Sequence, residues 1–212
     1  MKWQRIPLGP LQTNAYILTN DKKECVIFDP GGDGKWLVSV LRQQNVKPIA
    51  ILLTHAHFDH IGAIDDIRNN WSIPIYIHEK EKDWLVDPAL NRSSYFMPGH
   101  EISVKGEEVH TLQKEGTFIV DSFTFDLFYT PGHSPGSVSF YNKELGVVFS
   151  GDALFSGSIG RTDLPGGNHD QLLSSIHSKL LTLPEDTIVL SGHGPETTIE
   201  AEMDSNPFLN GF

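Results

Sequence analysis

One stretch, Leu53-Thr54-His55-Ala56-His57-Phe58-Asp59-His60, restricts what this chain can become more than any other. Four side chains able to bind metal fall within six residues, directly behind the apolar, β-prone run Ile49, Ile51, Leu52, Leu53. Such a run predicts a buried strand that ends at Thr54 and releases the chain into a ligand-bearing loop. If the backbone stays extended from His55 to His57, both imidazoles point to the same side. Asp59 and His60 follow where the chain must turn, so they face the same cavity from another angle. The order His-x-His-x-Asp-His thus offers two histidines to one ion, and a carboxylate plus a histidine to a second. The ordinary alternative is a histidine-rich surface loop, and the rest of the chain argues against it.

Three later stretches share one grammar: apolar strand, small residue, then a histidine or aspartate. Thr130-Pro131-Gly132-His133 follows the alternating Phe123, Phe125 and Leu127. Val147-Val148-Phe149-Ser150-Gly151 ends in Asp152, and Ile188-Val189-Leu190-Ser191-Gly192 ends in His193. Open α/β sheets build sites from side chains offered at strand ends. Each stretch alone is a weak signal, since a histidine after glycine is commonly a surface residue. The four together are specific.

These residues carry a resemblance. The chain resembles the metallo-β-lactamase superfamily, and within it the glyoxalase II-like (hydroxyacylglutathione hydrolase-like) branch of short, single-domain bacterial members. The matching motifs are Thr54 to His60, Pro131-Gly132-His133-Ser134-Pro135-Gly136, Ser150-Gly151-Asp152, Gly160-Arg161-Thr162-Asp163 and Gly192-His193-Gly194-Pro195. The resemblance implies that His55, His57 and His133 bind one ion. It implies that Asp59, His60 and His193 bind the other, and that Asp152 bridges both. It also implies a mixed α/β fold, the four-layer αβ/βα sandwich made of two similar halves.

The chain has 212 residues, enough for one sizeable core, and no linker, repeat or low-complexity tract divides it. One domain over 1–212 is expected, without the C-terminal helical domain that helps full-length glyoxalase II proteins bind glutathione. Met1 to Arg5 shows no apolar signal core, and no apolar run approaches the roughly 18 residues of a membrane span. The expectation is a cytoplasmic protein with no membrane partner, acting as a monomer or small homo-oligomer. The lone Cys25, inside the run Glu24 to Phe28, forms no internal disulfide and is read as a core residue. A formal net charge of −11 with no long basic run argues against nucleic acid, whose binding draws on clustered Lys and Arg.

Taken in order, residues 3–8, 14–19 and 24–29 predict three early strands. Asp29, at the end of the third, can orient a ligand histidine, cap the next helix or serve the turn. A helix over 34–45 is expected to turn Trp36, Leu37, Val40 and Leu41 inward. Ile61, Ile64, Ile67 and Trp71 predict that the ligand loop opens a helix. A strand at 73–77 and a helix at 79–86 follow, with His78 read as structural. The stretch 87–116 reads as irregular, and Tyr95, Phe96 and Met97 either wall a pocket or cover the core. His100 and His110 are expected to be exposed. Strands at 117–120, 122–129, 137–141 and 147–150 lead to a polar turn at Gly160-Arg161-Thr162-Asp163, where Arg161 is expected to form a buried pair with a carboxylate, the alternative being a substrate contact. A helix at 169–181, capped by Asn168 or Asp170, a strand at 187–190 and a helix near 196–204 precede the tail 206–212.

Five histidines and two aspartates without a thiolate suit two divalent ions, with Zn first and Fe or Mn also accommodated. Two ions about 3.5 Å apart lower the pKa of a bridging water towards neutral, so the expected activity is hydrolysis by a metal-bridged hydroxide. A small-molecule thioester such as S-D-lactoylglutathione is the expected substrate, because a thiolate from a parent thiol of pKa about 8.5 departs with little protonation. Asp59 is assigned the catalytic role of orienting the water, while the substrate-binding residues stay unassigned. The alternative is a mononuclear iron persulfide dioxygenase, which looks similar around the first motif and around Gly160 to Asp163. Gly192-His193-Gly194-Pro195 favours the hydrolase. A secreted zinc β-lactamase usually carries Cys where Asp152 stands, and an inactive binding protein would not keep all seven ligands.

Overall fold

The computed structural model describes residues 1–106 and 108–209. These form two compact units, the first ending at Gln113 and the second starting at Lys114. Each carries one six-stranded sheet, in keeping with the expectation of two βα halves.

In the first unit β1 (Lys2–Leu8), β2 (Thr13–Thr19) and β3 (Glu24–Phe28) form an antiparallel meander. The chain then crosses through α1 (Gly34–Gln43) into β4 (Lys47–Leu52), which pairs parallel to β3. A second crossover runs through α2 (Phe58–Ile61) and α3 (Ile64–Arg68) to β5 (Ile75–His78), parallel to β4. A 3₁₀ helix (Glu79–Leu85) and α4 (Ser93–Phe96) lead to β6 (Val109–Leu112), parallel to β5. The stretch 87–116 is therefore less irregular than expected. Apolar, β-branched Val109 supports a strand there because β5 offers an unpaired edge.

Parallel pairing decides where the site lies. Phe28 is level with Leu52, and Leu52 with Tyr76, so β3, β4 and β5 end at one edge of the sheet. Residues that follow these ends meet there although the sequence separates them. Ile27, Ile51 and Ile75 form the core beneath, with Leu37 and Leu41 from α1 and Ile64 and Ile67 from α3. Leu37, Val38 and Leu41 are buried, whereas Trp36 is 54% exposed. The expected inner face of α1 is thus rotated: Val38 replaces Trp36, because Gly34, Leu37, Val38 and Leu41 make one stripe at helical spacing.

In the second unit β7 (Gly116–Val120), β8 (Phe123–Tyr129), β9 (Val138–Asn142) and β10 (Val147–Gly151) form antiparallel neighbours in that order. A short hairpin, β11 (Leu154–Phe155) and β12 (Ser158–Ile159), follows. Then α5 (His169–Ser175) runs on into a π-helical turn over Ile176–Leu180. β13 (Ile188–Ser191) pairs parallel to β10, and β14 (Thr197–Thr198) closes the sheet before α6 (Ile199–Ser205). Asn168 is the N-cap of α5 and accepts the Gln171 N–H at 2.9 Å. Val148 and Val189 pack with Leu172, Ile176, Leu180 and Ile199. Residues 210–212 of the expected tail lie outside the described residues. No helix among the described residues is long and apolar enough to cross a membrane.

Candidate metal centre

The first unit builds one donor cluster. β4 ends, and the chain runs from Thr54 into His55, Ala56 and His57 before α2 opens at Phe58. His55, His57 and His60 are buried, and the Asp59 side chain keeps 13% exposure. The rings of His55 and His57 stand edge to face at 4.8 Å, and those of His55 and His60 are tilted by 54° at 4.0 Å. His57 lies against Trp84, 5.5 Å between centroids. His60 Nε2 faces Asp59 Oδ2 at 3.5 Å.

Asp29 sets the orientation of two of these rings. It follows β3, so it stands beside the end of β4. Its Oδ1 accepts the Thr54 N–H at 2.8 Å, and its Oδ2 accepts the Thr54 hydroxyl at 2.6 Å. The same Oδ2 lies 3.0 Å from His60 Nδ1. A negative carboxylate oxygen at that distance favours the proton on Nδ1, which leaves the lone pair on Nε2 for a ligand. Because the Thr54 hydroxyl donates to Asp29, its oxygen is left to accept from His55 Nδ1 at 3.2 Å, which likewise puts the lone pair on His55 Nε2. Of the three roles open to Asp29 in the sequence, the structure gives it the orienting one, and it serves two histidines.

Three further supports carry no local signal in the sequence. Thr13 donates its hydroxyl to Asp59 Oδ2 at 2.7 Å from 46 residues away. The buried Glu81 accepts the Ala56 N–H at 2.7 Å, between the two histidines. The Asn91 carbonyl accepts the Phe58 N–H at 2.9 Å. The two residues that interleave the ligands are thus held through their backbones. Gly31 lies so close that a Cβ there would collide with the carbonyl oxygen of Asp59, which restricts the position to glycine.

The second unit builds the other cluster. β10 and β13 are parallel and end together, with Gly151 level with Ser191. Asp152 and His193 therefore leave the sheet side by side, tied by Gly192 N–H donating to the Gly151 carbonyl at 2.8 Å. His133 is buried and stands within the connection from β8 to β9. Its Nδ1 lies 2.8 Å from the carbonyl oxygen of Arg161, which can only accept, so the lone pair is again on Nε2. Asp152 Oδ2 is 3.6 Å from His133 Nε2 and 3.6 Å from His193 Nε2. Gly160 packs against Asp152 and His133, where a Cβ would strike the Asp152 carbonyl.

Gly160 to Asp163 therefore works through its backbone. The Arg161 side chain pairs with Asp163 through two bonds of 2.7 Å, but both groups are exposed, so the pair is not the buried one expected. Arg161 holds the Asp163 carboxyl down at about 2. His78 is structural as expected: its Nδ1 accepts the Lys80 N–H at 3.1 Å, and burial lowers its pKa. Cys25 is fully buried, and burial pushes its thiol up to about 12. His100 and His110 are exposed.

The spacing of the donors fits metal ions. Two ligands at about 2.1 Å from one tetrahedral ion stand about 3.4 Å apart. The pairs above, at 3.5 and 3.6 Å, match that separation and are longer than a good hydrogen bond. One oxygen of Asp152 stands equally far from two imidazole nitrogens, within the spread of a metal-binding His/Asp group.

Known proteins share this architecture. Residues 8–193 match the family described as the metallo-beta-lactamase superfamily. The chain is 55% identical to the probable metallo-hydrolase YqgX of Bacillus subtilis (strain 168), covering 100% of this chain and 99% of that protein. It is 35% identical to the hydroxyacylglutathione hydrolase GloC of Haemophilus influenzae, covering 99% of each. Among solved structures, the BLEG-1 B3 metallo-beta-lactamase is 59% identical with a TM-score of 0.96, over 99% of this chain and 100% of that one. TTHA1623 in a di-iron-bound form is 39% identical with a TM-score of 0.86, over 97% and 100%. A mixed α/β fold of two sheets with helices, and histidine and aspartate clusters at the ends of their strands, join with these matches in one conclusion: the chain belongs to the metallo-beta-lactamase superfamily and is a metallo-hydrolase of it, with a metal-binding His/Asp site.

Proposed function

We propose that this hydrolase is a dinuclear thioesterase of glyoxalase II type. The observation that carries the reading is Asp152 Oδ2 set 3.6 Å from both His133 Nε2 and His193 Nε2, the position of a shared ligand. In this reading His55, His57 and His133 hold one ion, Asp59, His60 and His193 hold the other, and Asp152 serves both. Zn suits this nitrogen and oxygen set, and the di-iron form of TTHA1623 supports Fe as a second choice. The ions, when bound, lower the pKa of water and polarise the substrate carbonyl.

The chain's own groups do the rest. Asp59, anchored by Thr13, orients the attacking water. Asp29 and Thr54 keep His55 and His60 in the tautomers that leave Nε2 available. A thiolate leaves with little protonation, so a thioester needs no further acid from the protein. Similarity to GloC supports this substrate class.

A second reading, β-lactam hydrolysis, is favoured by the 59% identity to BLEG-1 B3 metallo-beta-lactamase. The test is metal content of protein purified without added metal, with S-D-lactoylglutathione and nitrocefin assayed on the same sample. About two ions per chain with thioester turnover is the expected result. Turnover of nitrocefin alone establishes the second reading. One iron per chain with oxygen uptake on a persulfide moves the protein to the dioxygenase class.

A further inference from the structure

Beside Asp59 the first unit contains a cavity of about 240 Å³ that none of the ligand chemistry uses. Leu8, Leu11, Phe58, Met97 and Ile102 supply its apolar walls, and Asp59 and Asp33 are the two charged residues that line it. No Lys, Arg or His is among the lining residues. At about 30 Å³ for a water-sized group the space takes about eight such groups, a short chain rather than a drug-sized molecule.

The apolar surface continues outside the cavity. Phe96 stacks on the lining Phe58 at 5.5 Å, and Tyr95 meets Phe96 edge-on at 4.9 Å. Leu11, Phe96 and Tyr95 are 52%, 43% and 79% exposed, so large apolar side chains stand in water around a pocket that borders a donor residue. Soluble proteins seldom leave such a patch without a ligand for it. The charge pattern narrows the choice. Asp33 accepts the Gly9 N–H at 2.8 Å and Asp59 accepts the Thr13 hydroxyl, so both carboxylates are fixed at the wall. An anionic substituent entering here meets carboxylates and no cation, while an alkyl group meets carbon.

We propose that this pocket binds an uncharged alkyl group of the substrate, which makes the preferred substrates neutral alkyl thioesters rather than esters of an anionic thiol such as glutathione. The proposal rests on the thioesterase reading. The alkyl group sits on either the acyl or the thiol side of the scissile bond, and two substrate series separate these sources. One is acetyl, butanoyl and hexanoyl thioesters of N-acetylcysteamine; the other is acetyl thioesters of ethane-, butane- and hexanethiol.

On the metal-loaded enzyme, kcat/KM rises in one series by about fourfold per methylene until the pocket is full. Met97→Asp flattens that slope, and so does Leu11→Asp on the exposed loop, a position where misfolding does not obscure the result. Flat slopes in both series overturn the proposal, as does turnover of S-D-lactoylglutathione more than tenfold above the neutral esters; the thioesterase reading survives either result. If no thioester is hydrolysed, that reading fails, and calorimetric titration with S-hexyl- and S-ethyl-N-acetylcysteamine decides the pocket alone. Tighter binding of the hexyl thioether, lost in Met97→Asp, upholds it, and equal binding of the two overturns it.

Discussion

Replacing Asp29 by Asn tests how the first donor cluster is held. The carboxylate accepts from two donors, Thr54 N–H and the Thr54 hydroxyl, and its Oδ2 also faces His60 Nδ1 at 3.0 Å. An amide of the same shape has one accepting oxygen. If that oxygen keeps the Thr54 N–H, the NH₂ group faces His60 Nδ1 and the Thr54 hydroxyl. His60 must then move its proton to Nε2 to accept, and Nε2 is lost as a ligand. The Thr54 hydroxyl also loses its acceptor and no longer favours the His55 tautomer. If the amide turns over, the buried Thr54 N–H meets the NH₂ instead. One donor stays unmatched either way, at a cost of about 1–3 kcal/mol. For a chain of this size that lowers the melting temperature of metal-free protein by about 2–12 °C. Loss of a partner behind a ligand histidine weakens metal binding by about 10- to 100-fold. Chelator competition measures the affinity and calorimetry the melt. Metal affinity within twofold of wild type with an unchanged melt would refute the tautomer argument. Thr54→Val keeps Asp29 facing His60 and removes only the relay to His55, so its loss of affinity should be smaller. The two effects should not add, because the groups share one network.

Further outcomes follow from other residues. Asp152→Ala should lose metal and activity together, since His133 and His193 both face its Oδ2; unchanged metal content by elemental analysis would remove the shared-ligand assignment. Cys25 lies fully buried with its thiol at about 12, so it should resist alkylation at pH 8 until the protein unfolds, and Cys25→Ala should keep full turnover. Rapid labelling of the folded protein would reverse that reading. The Asp163 carboxyl sits at about 2 against an ordinary 3.8, so its pairing with Arg161 stabilises the fold above about pH 4 and fades as the pH falls towards 2. Both groups are exposed, so the difference between wild type and Asp163→Asn in acid unfolding should be small and should vanish in about 1 M salt, where charges are screened within about 3 Å. A large difference that survives the salt would show that the pair is more than a surface contact.

The stretches that carry the seven candidate donors were legible in the sequence because their signal is local. Each follows a β-prone apolar run, and a strand that ends in a small residue and a histidine or aspartate carries its ligand to the sheet edge wherever the strand lies. The alternation of strands and helices, and with it two βα halves, is legible for the same reason: periodicity is set by neighbours in the chain. The inner face of α1 was not. Trp36 and Val38 are both apolar at compatible spacing, and only packing on the sheet left Trp36 outside. The strand Val109–Leu112 was missed because its order comes from the edge of β5, not from its own pattern.

What fixes the donors lay beyond the sequence. Thr13 reaches Asp59, Asp29 reaches Thr54 and His60, and Glu81 reaches Ala56, all across long separations closed by strand pairing. Arg161 orients His133 through a carbonyl oxygen that every residue type possesses, so its side chain gives no sign of the role. The alkyl-sized cavity is assembled from segments near residues 8–11, 31–33, 58–62 and 97–102, and its lack of a cation belongs to none of them singly. The sequence by itself determined which atoms can bind metal, since donor chemistry resides in the side chain. The tertiary structure alone decided which tautomers those atoms hold and what lies beside them, since both depend on groups that meet only when parallel strands end at a common edge.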